Sequence, residues 1–347
     1  MISTKTLTLI IPTYNMQAYL KRCLDSLIVE DELMAKFEVL VVNDGSKDDS
    51  SEIAQQYERR YPQTFRVIDK ENGNYGSCVN RGLSEAKGAF IKLLDADDWF
   101  DTDQFVKYLH RLGQTTDPVD LVLTDFTKID ETGCILGKGK YTIPYDNLFS
   151  FQDYEGMEYF AHHSLTYRTG LLIDCQFHQT EGISYTDTEW VYYPQLYVKN
   201  CVYWDIDLYR YLLGREGQTM DPKVQLKRSS HMITILKRMI TTAISFENQG
   251  GIGMGHKRLS SFIQHACKGI YYSFLVKSPK SDFHSDVLRG FDCFLFANDR
   301  PLYDIIGNES VLKGIPVHYV KFWRRFGKRF PIDFFRSFYR TVKYGNR

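Results

Sequence analysis

No stretch of the 347-residue sequence approaches the ~18 consecutive apolar residues of a membrane-spanning helix. The opening MISTKTLTLIIPTYN also lacks an apolar core of signal-peptide length, because Pro12 closes the short run 7–11. A bilayer span and a secretory leader are therefore not expected. Cysteine is sparse and unpatterned, with seven residues, an odd count, and no CxxC pair. This argues against a disulfide framework or a zinc site, and fits a reducing cytosol. There is no GxxxxGK[ST] phosphate loop, internal repeat or low-complexity tract, and the GIGMG run at 251–255 does not match a dinucleotide fingerprint. Net charge is also absent: 43 Lys+Arg balance 43 Asp+Glu, which disfavours a globally basic nucleic-acid binder.

What is present is globular. Hydrophobic residues make up 43% and charged residues 25%, and aromatics are plentiful, with 24 Tyr and 23 Phe. The length suits two domains, or one large domain with an appendage. The zero net charge conceals a separate electrostatic object at the end. Residues 313–347 hold ten Lys/Arg and one acid, a charge of +9, so residues 1–312 carry −9.

Over the first 125 residues, short apolar runs alternate with helical periodicity. Strands are expected at 7–11, 37–42, 65–68, 89–94 and 121–124. Helices are expected at 16–29, at 48–60 and after the glycine-bearing loop through 86. This order implies βαβ units and a mostly parallel sheet flanked by helices, a Rossmann-like α/β fold. In such a sheet the ligand crevice lies beyond the carboxyl ends of the strands. Three polar clusters fall there: Pro12-Thr13-Tyr14-Asn15, Asn43-Asp44-Gly45-Ser46 and Asp95-Ala96-Asp97-Asp98. Beyond residue 220 the pattern turns helical, at 221–246, 257–276 and 282–298.

Three carboxylates within four residues repel one another unless a cation is present. Hard oxygen ligands at a strand end suit Mg2+ or Mn2+ bound with substrate phosphates. The plainer reading is an acidic turn capping the next helix. The buried-strand run 90–94 favours the metal–diphosphate role, because it holds Asp95 and Asp97 at the crevice. Asp44 in NDGS fits either a helix-capping turn or an acceptor for a ribose hydroxyl or base N–H. Downstream, Asp187 stands in TEGISYTDTEW beside Glu181 and Glu189. It fits either an N-cap for the helix that follows or a general base.

The blocks IIPTYN (10–15), VLVVNDGSKD (39–48), the glycine loop 73–82 and LDADDW (94–99) together resemble the family 2 inverting glycosyltransferases of bacterial polysaccharide type, which have a GT-A fold. The resemblance is close over residues 5–125, looser to about 220 and thin beyond. It implies a catalytic domain over 1–220, a helical region over 221–312 and the basic tail over 313–347. By it, Pro12, Thr13, Tyr14 and Asn15 line the nucleotide pocket, Asp44 holds the uracil or ribose, and Asn74 belongs to the nucleotide-binding loop. Asp95 contacts ribose or metal, Asp97 is the principal metal ligand and Asp98 supports the donor-sugar site. Asp187 is the catalytic base. Where many members carry Ala-Arg-Asn, this chain has Cys78-Val79-Asn80, with Arg81 one step later, so the usual diphosphate arginine is displaced. Arg215 and Gln218, in the segment closing the donor site, are expected at diphosphate or acceptor. His163, of the pair His162-His163, is the histidine carried forward as an acceptor- or metal-site candidate, against ordinary packing. The QxxRW pattern of processive synthases is absent, so one sugar per encounter is expected.

The activity implied is inverting transfer of one sugar from a nucleotide-diphosphate donor, a UDP-sugar, to a hydroxyl of a glycan or lipid-linked acceptor, with Mn2+ or Mg2+. Two other readings make distinct demands. A sugar-nucleotide pyrophosphorylase needs a Gly-rich cationic loop where Pro12-Thr13-Tyr14-Asn15 stands, and a catalytically dead membrane-docked scaffold would bind UDP without transfer. In the tail, Tyr319, Phe322, Trp323, Phe326 and Phe330 recur at helical spacing with Lys and Arg between them, and a second such run follows Pro331. Two basic amphipathic helices of this kind suit an anionic membrane surface and a peripheral position on the inner face of the cell membrane. The alternative is packing against the acidic body.

Overall fold

The computed structural model describes residues 5–115, 118–151, 153–154, 156–215, 228–250, 254–277, 285–312, 315–327, 337 and 341. Its contacts divide into two compact units, residues 1–216 with 253–256, and residues 217–252 with 257–347.

In the first unit the elements run β1 (Lys5–Thr13), α1 (Leu20–Asp25), α2 (Asp31–Met34), β2 (Phe37–Asn43), α3 (Ser50–Arg60), β3 (Phe65–Asp69), α4 (Asn74–Glu85), β4 (Gly88–Leu93), β5 (Trp99–Phe100) and α5 (Thr102–Gly113). They continue through β6 (Leu121–Asp130), β7 (Ile135–Gly139), β8 (Leu148–Ser150), β9 (Leu165–Arg168), α6 (Thr169–Asp174), α7 (Asp187–Tyr192) and β10 (Asn200–Leu213). The sheet order is β3-β2-β1-β4-β9-β6-β10-β5, with β7 on β6 and β8 on β10. The β3-β2-β1-β4 block is parallel, as the βαβ pattern requires. The other half is mixed. Antiparallel β9 inserts between β4 and β6, while β6 and β10 run parallel. β9 is preceded by a single 3-10 turn, His162–Ser164, rather than by a crossover helix.

The central strands read as unbroken apolar runs because both of their faces are buried. Leu7, Leu9 and Ile11 of β1 pack with α1 and α5 on one face. Ile10 packs with α4, α6 and Trp190 of α7 on the other. The order of the strands reverses between β1 and β4, since β2 follows on one side and β4 on the other. The carboxyl ends of these two strands therefore open onto the crevice. Backbone bonds join the strand-end loops: Asp44 N donates to Thr13 O (2.8 Å), Lys70 N to Asn43 O (3.0 Å) and Leu94 N to Ile10 O (3.1 Å).

The second unit holds α8 (Ser229–Asn248), α9 (Met254–Tyr272), α10 (Ser285–Asn298), α11 (Arg300–Glu309), the ribbon β11 (Val311–Leu312) with β12 (Ile315–His318), and α12 (Tyr319–Phe326). The expected helix start at Asp221-Pro222 and the second amphipathic run after Pro331 lie outside the described residues. On α12, Tyr319, Val320 and Trp323 are buried, and Trp323 meets Tyr271 edge-on. Arg324 pairs with Asp292 and lies 3.4 Å over the Tyr303 ring. Part of the apolar stripe expected to face a membrane is thus spent on packing within this unit. Lys321, Phe322, Arg325 and Phe326 remain exposed. No helix among the described residues is long and apolar enough to cross a membrane.

Candidate active site

The β2 side of the crevice is tied together by its own loops. Asp44 is buried, and its Oδ1 accepts from Lys70 Nζ (2.7 Å) and from the Gly73 amide (2.9 Å). Asn72 Nδ2 donates to Asp44 O, and Lys70 Nζ also reaches Ser77 Oγ (2.9 Å). Asn15 has a left-handed backbone, φ 54°, which Asn tolerates better than most residues. Its amide donates to Ser46 Oγ and its Oδ1 accepts from Lys47 N, so this side chain holds the neighbouring loop. The Thr13 hydroxyl turns back to Ile11 O. Pro12 is half-buried and Tyr14 is exposed at the rim. Asn74 opens α4, also left-handed, at φ 66°.

α4 joins this side to the acidic one. Gly73 immediately before it bonds Asp44, and the Tyr75 hydroxyl in its first turn donates to Asp95 Oδ1 (2.9 Å). The close approach of the 179–182 loop requires glycine: a Cβ on Gly76 would lie 2.2 Å from Thr180 O. Gly182 N donates to Gly73 O, and Asn80 exchanges hydrogen bonds with Gln179.

Beyond β4 the three acids take three different partners. Asp95 Oδ2 meets His162 Nε2 at 3.1 Å. Asp97 Oδ2 accepts from Arg215 Nε at 2.5 Å. Asp98 is buried, accepting from Tyr209 Oη (2.7 Å) and Leu212 N (2.8 Å), and so anchors β10 rather than facing the crevice. Burial works against the Asp95 anion, but the His162 imidazole, the Tyr75 hydroxyl and Arg215 outweigh it and hold the carboxyl below its ordinary range. Burial and the Asp95 charge push Asp97 up against the pull of Arg215. Burial, Asp97 and Asp95 push Asp98 far up.

Asp187 is the first residue of α7, and Thr186, not Asp187, occupies the cap position. Its Oδ2 lies 3.8 Å from His162 Nδ1. Partial burial raises its carboxyl, with His162 opposing the effect and Asp95 adding to it. Among the three downstream acids, Asp187 is the one facing Asp95. Glu189 is buried, and both its oxygens accept from Thr180; Glu181 accepts from Asn80.

Of the two adjacent histidines, His162 reaches the carboxylates. His163 packs behind it, with ring centroids 3.8 Å apart, and is enclosed by Tyr211, Tyr209 and Phe126. Both His163 ring nitrogens lack a hydrogen-bond partner among the described residues. Asp95, His162 and His163 offer ligand atoms all within 4.8 Å of one another, a donor set of oxygen and imidazole that fits a divalent ion. Asp97, expected as principal ligand, is paired with Arg215.

Arg81 pairs with Glu85 on the exposed side of α4 and is not at the crevice. Gln218 lies outside the described residues. Sequence reasoning missed Lys70, Tyr75, Arg22 and Tyr209. Arg22 donates to Asp97 O and lies 3.7 Å over the Trp99 ring. The only local signal was the position of Tyr75 within the glycine loop and of Lys70 just before it. Nothing in the sequence near Tyr209 announces that it reaches Asp98.

Comparison with known proteins supports the same architecture. A family model described as Glycosyl transferase family 2 matches residues 8–174. The putative glycosyltransferase EpsH of Bacillus subtilis is 35% identical over 133 residues, covering 38% of this chain and 37% of that protein. The uncharacterized glycosyltransferase MG025 of Mycoplasma genitalium is 42% identical over 108 residues, covering 30% and 36%. These matches span little over a third of the relatives' own length. Among solved structures, residues 1–349 of S. aureus TarS in complex with UDP-GlcNAc superpose with a TM-score of 0.68 at 19% identity, covering 98% of this chain and 92% of that one.

Proposed function

We propose, from the match of residues 8–174 to the Glycosyl transferase family 2 model and the GT-A fold, that the chain transfers one sugar, with inversion, from a nucleotide-diphosphate donor to a hydroxyl of a glycan or lipid-linked acceptor. The observation that carries this reading is the meeting of Asp95 and Asp187 across His162 at the carboxyl end of β4, next to the Asp44 pocket. A UDP-sugar is the proposed donor. Asp44, with one oxygen held by Lys70 and Gly73, is assigned to the base or ribose; Pro12, Thr13, Tyr14, Asn15 and Asn74 shape the pocket around it. The TarS complex with UDP-GlcNAc, on the same fold, supports this choice.

Asp187 takes the proton of the acceptor hydroxyl as that oxygen bonds to the anomeric carbon. The bond from this carbon to the diphosphate oxygen breaks, and its electron pair leaves with the nucleotide. No covalent enzyme intermediate forms. Asp95 and Asp97 would hold Mn2+ or Mg2+, which would supply positive charge to the departing diphosphate. Arg215 and Arg22 place positive charge on the same side. Asp98 supports the site by fixing β10. The exposed strip Lys321, Phe322, Arg325 and Phe326 is assigned to an anionic membrane surface on the cytoplasmic side, where a lipid-linked acceptor would lie.

Asp187→Asn tests the reading. Transfer should fall by about 10²–10⁴-fold, the usual worth of a general base, while UDP binding by calorimetry stays within a fewfold of wild type. Undiminished transfer would remove Asp187 as the base.

A further inference from the structure

We infer that His162 is a positioning residue that ties the candidate base Asp187 to the donor-side carboxylate Asp95, so that one imidazole sets the spacing of the two halves of the site. The inference rests on the functional reading above and goes beyond it, because that reading needs both carboxylates but does not require them to be joined.

The first argument is direction. The two ring nitrogens of an imidazole point to opposite edges of a rigid plane. Here Nε2 is spent on Asp95 Oδ2 at 3.1 Å, while Nδ1 faces Asp187 Oδ2 at 3.8 Å. The second is that the Asp95 end is fixed. Its other oxygen accepts from Tyr75, and its amide donates to Tyr209 Oη at 3.1 Å. The third is that the histidine itself is clamped from behind. It sits in the 3-10 turn His162–Ser164, where Ser164 N donates to Ala161 O. The Tyr141 hydroxyl donates to Ser164 Oγ (2.8 Å) and accepts from Ala161 N (3.1 Å). The buried Lys92 ammonium donates to His163 O (2.7 Å) and Leu165 O (3.3 Å), and the His163 ring backs the imidazole. The His162 side chain is 13% exposed, against 41% for Asp187. The most exposed member of the chain is therefore the carboxylate that must meet the acceptor, and the imidazole stands 3.8 Å from its Oδ2. Supporting groups of this kind matter because small displacements of a catalytic group cost large factors in rate.

The two nitrogens can be tested separately, because a Gln amide reaches roughly where Nε2 stands and an Asn amide where Nδ1 stands. His162→Gln should keep the Asp95 contact: calorimetric affinity for UDP with Mg2+ stays within about threefold of wild type, while kcat for UDP release from a panel of UDP-sugars falls at least tenfold. His162→Asn should weaken UDP·Mg2+ binding and retain more of kcat than the Gln variant does. Side-chain 15N spectra of the full chain give a readout independent of turnover. Asp187→Asn should move the His162 Nδ1 resonance more than Nε2, and Asp95→Asn the reverse. If Asp187→Asn leaves both His162 nitrogens unmoved, or if the Gln and Asn variants change affinity and kcat in parallel, the link does not exist and His162 merely packs. Loss of transfer in Asp187→Asn with wild-type kcat in His162→Gln sinks this inference alone. Full transfer in Asp187→Asn sinks the functional reading instead.

Discussion

On the β2 side of the crevice, Asp44, Lys70, Asn72, Asn15 and Ser46 satisfy one another across loops that follow consecutive parallel strands. On the β4 side, Asp95, Asp97, Asp98 and Asp187 crowd together and are met by Arg215, His162 and neutral donors drawn from distant parts of the chain. The first arrangement is assembled by local topology and is balanced in charge. The second needs segments up to 120 residues apart, counting Asp95 to Arg215, and holds like charges together. The contrast fits a division of labour. A pocket that recognises a constant group can be rigid and internally paired. A pocket through which charge must move during reaction is left with strained electrostatics, at some cost in stability.

Substitutions on the two sides should therefore part company. The largest effect is expected on the acidic side: Asp187→Asn should lose about 10²–10⁴-fold in transfer without a lower melting temperature, because its carboxylate is held above its ordinary range by its surroundings. A melting temperature that drops with the activity would erase the distinction. Next, EDTA should weaken UDP binding at least tenfold in calorimetry while leaving the melting temperature of the nucleotide-free protein unchanged; equal affinity with and without chelator would remove the ion from the acidic side. On the paired side, Asp44→Ala leaves Lys70 without its carboxylate and should cost both UDP affinity and about 1–3 kcal/mol of stability, measured by urea titration. Stability equal to wild type would show that pairing there is incidental.

A smaller effect probes the support beneath the acidic side. Burial lowers the Lys92 ammonium to about 7 from the ordinary 10.5. Between these values the unfolded lysine carries a proton that the folded one lacks. Lys92 therefore makes stability rise with pH across that window, by at most about 1.4 kcal/mol per pH unit, with its destabilising effect complete below the window and absent above it. Lys92→Met should abolish this slope in urea titrations between pH 7 and 10. An unchanged slope would mean that the two carbonyls bonded to Lys92 keep it charged. Smallest of all, Phe322→Ala with Phe326→Ala should reduce flotation with phosphatidylglycerol vesicles and leave UDP binding unaltered; undiminished flotation would free α12 from any membrane role.

The parallel block β3-β2-β1-β4 was legible because doubly buried strands must be apolar along their whole length, and the acids at their ends stand out against such runs. Asp44, Asp95 and Asp97 were located by that contrast. The antiparallel insertion of β9 was not legible, since a four-residue strand carries no periodicity and its neighbours are chosen by long-range pairing. The helix expected over 16–29 shrinks to Leu20–Asp25, because the residues before it are committed to the β2 loops through Asn15, Met16 and Gln17.

The linear order of residues determined which groups stand at strand ends, because strand termini follow from hydrophobic patterning and loop chemistry that act over a few residues. It did not determine which acid meets which partner. Asp97 facing Arg215, Asp98 turned inward to Tyr209, and Asp187 set against His162 rather than serving as a cap are all choices made by β10, β9 and the 179–187 loop when they close on the sheet. Charge pairing depends on distances of a few ångströms between segments far apart in the chain, and only the folded sheet sets those distances.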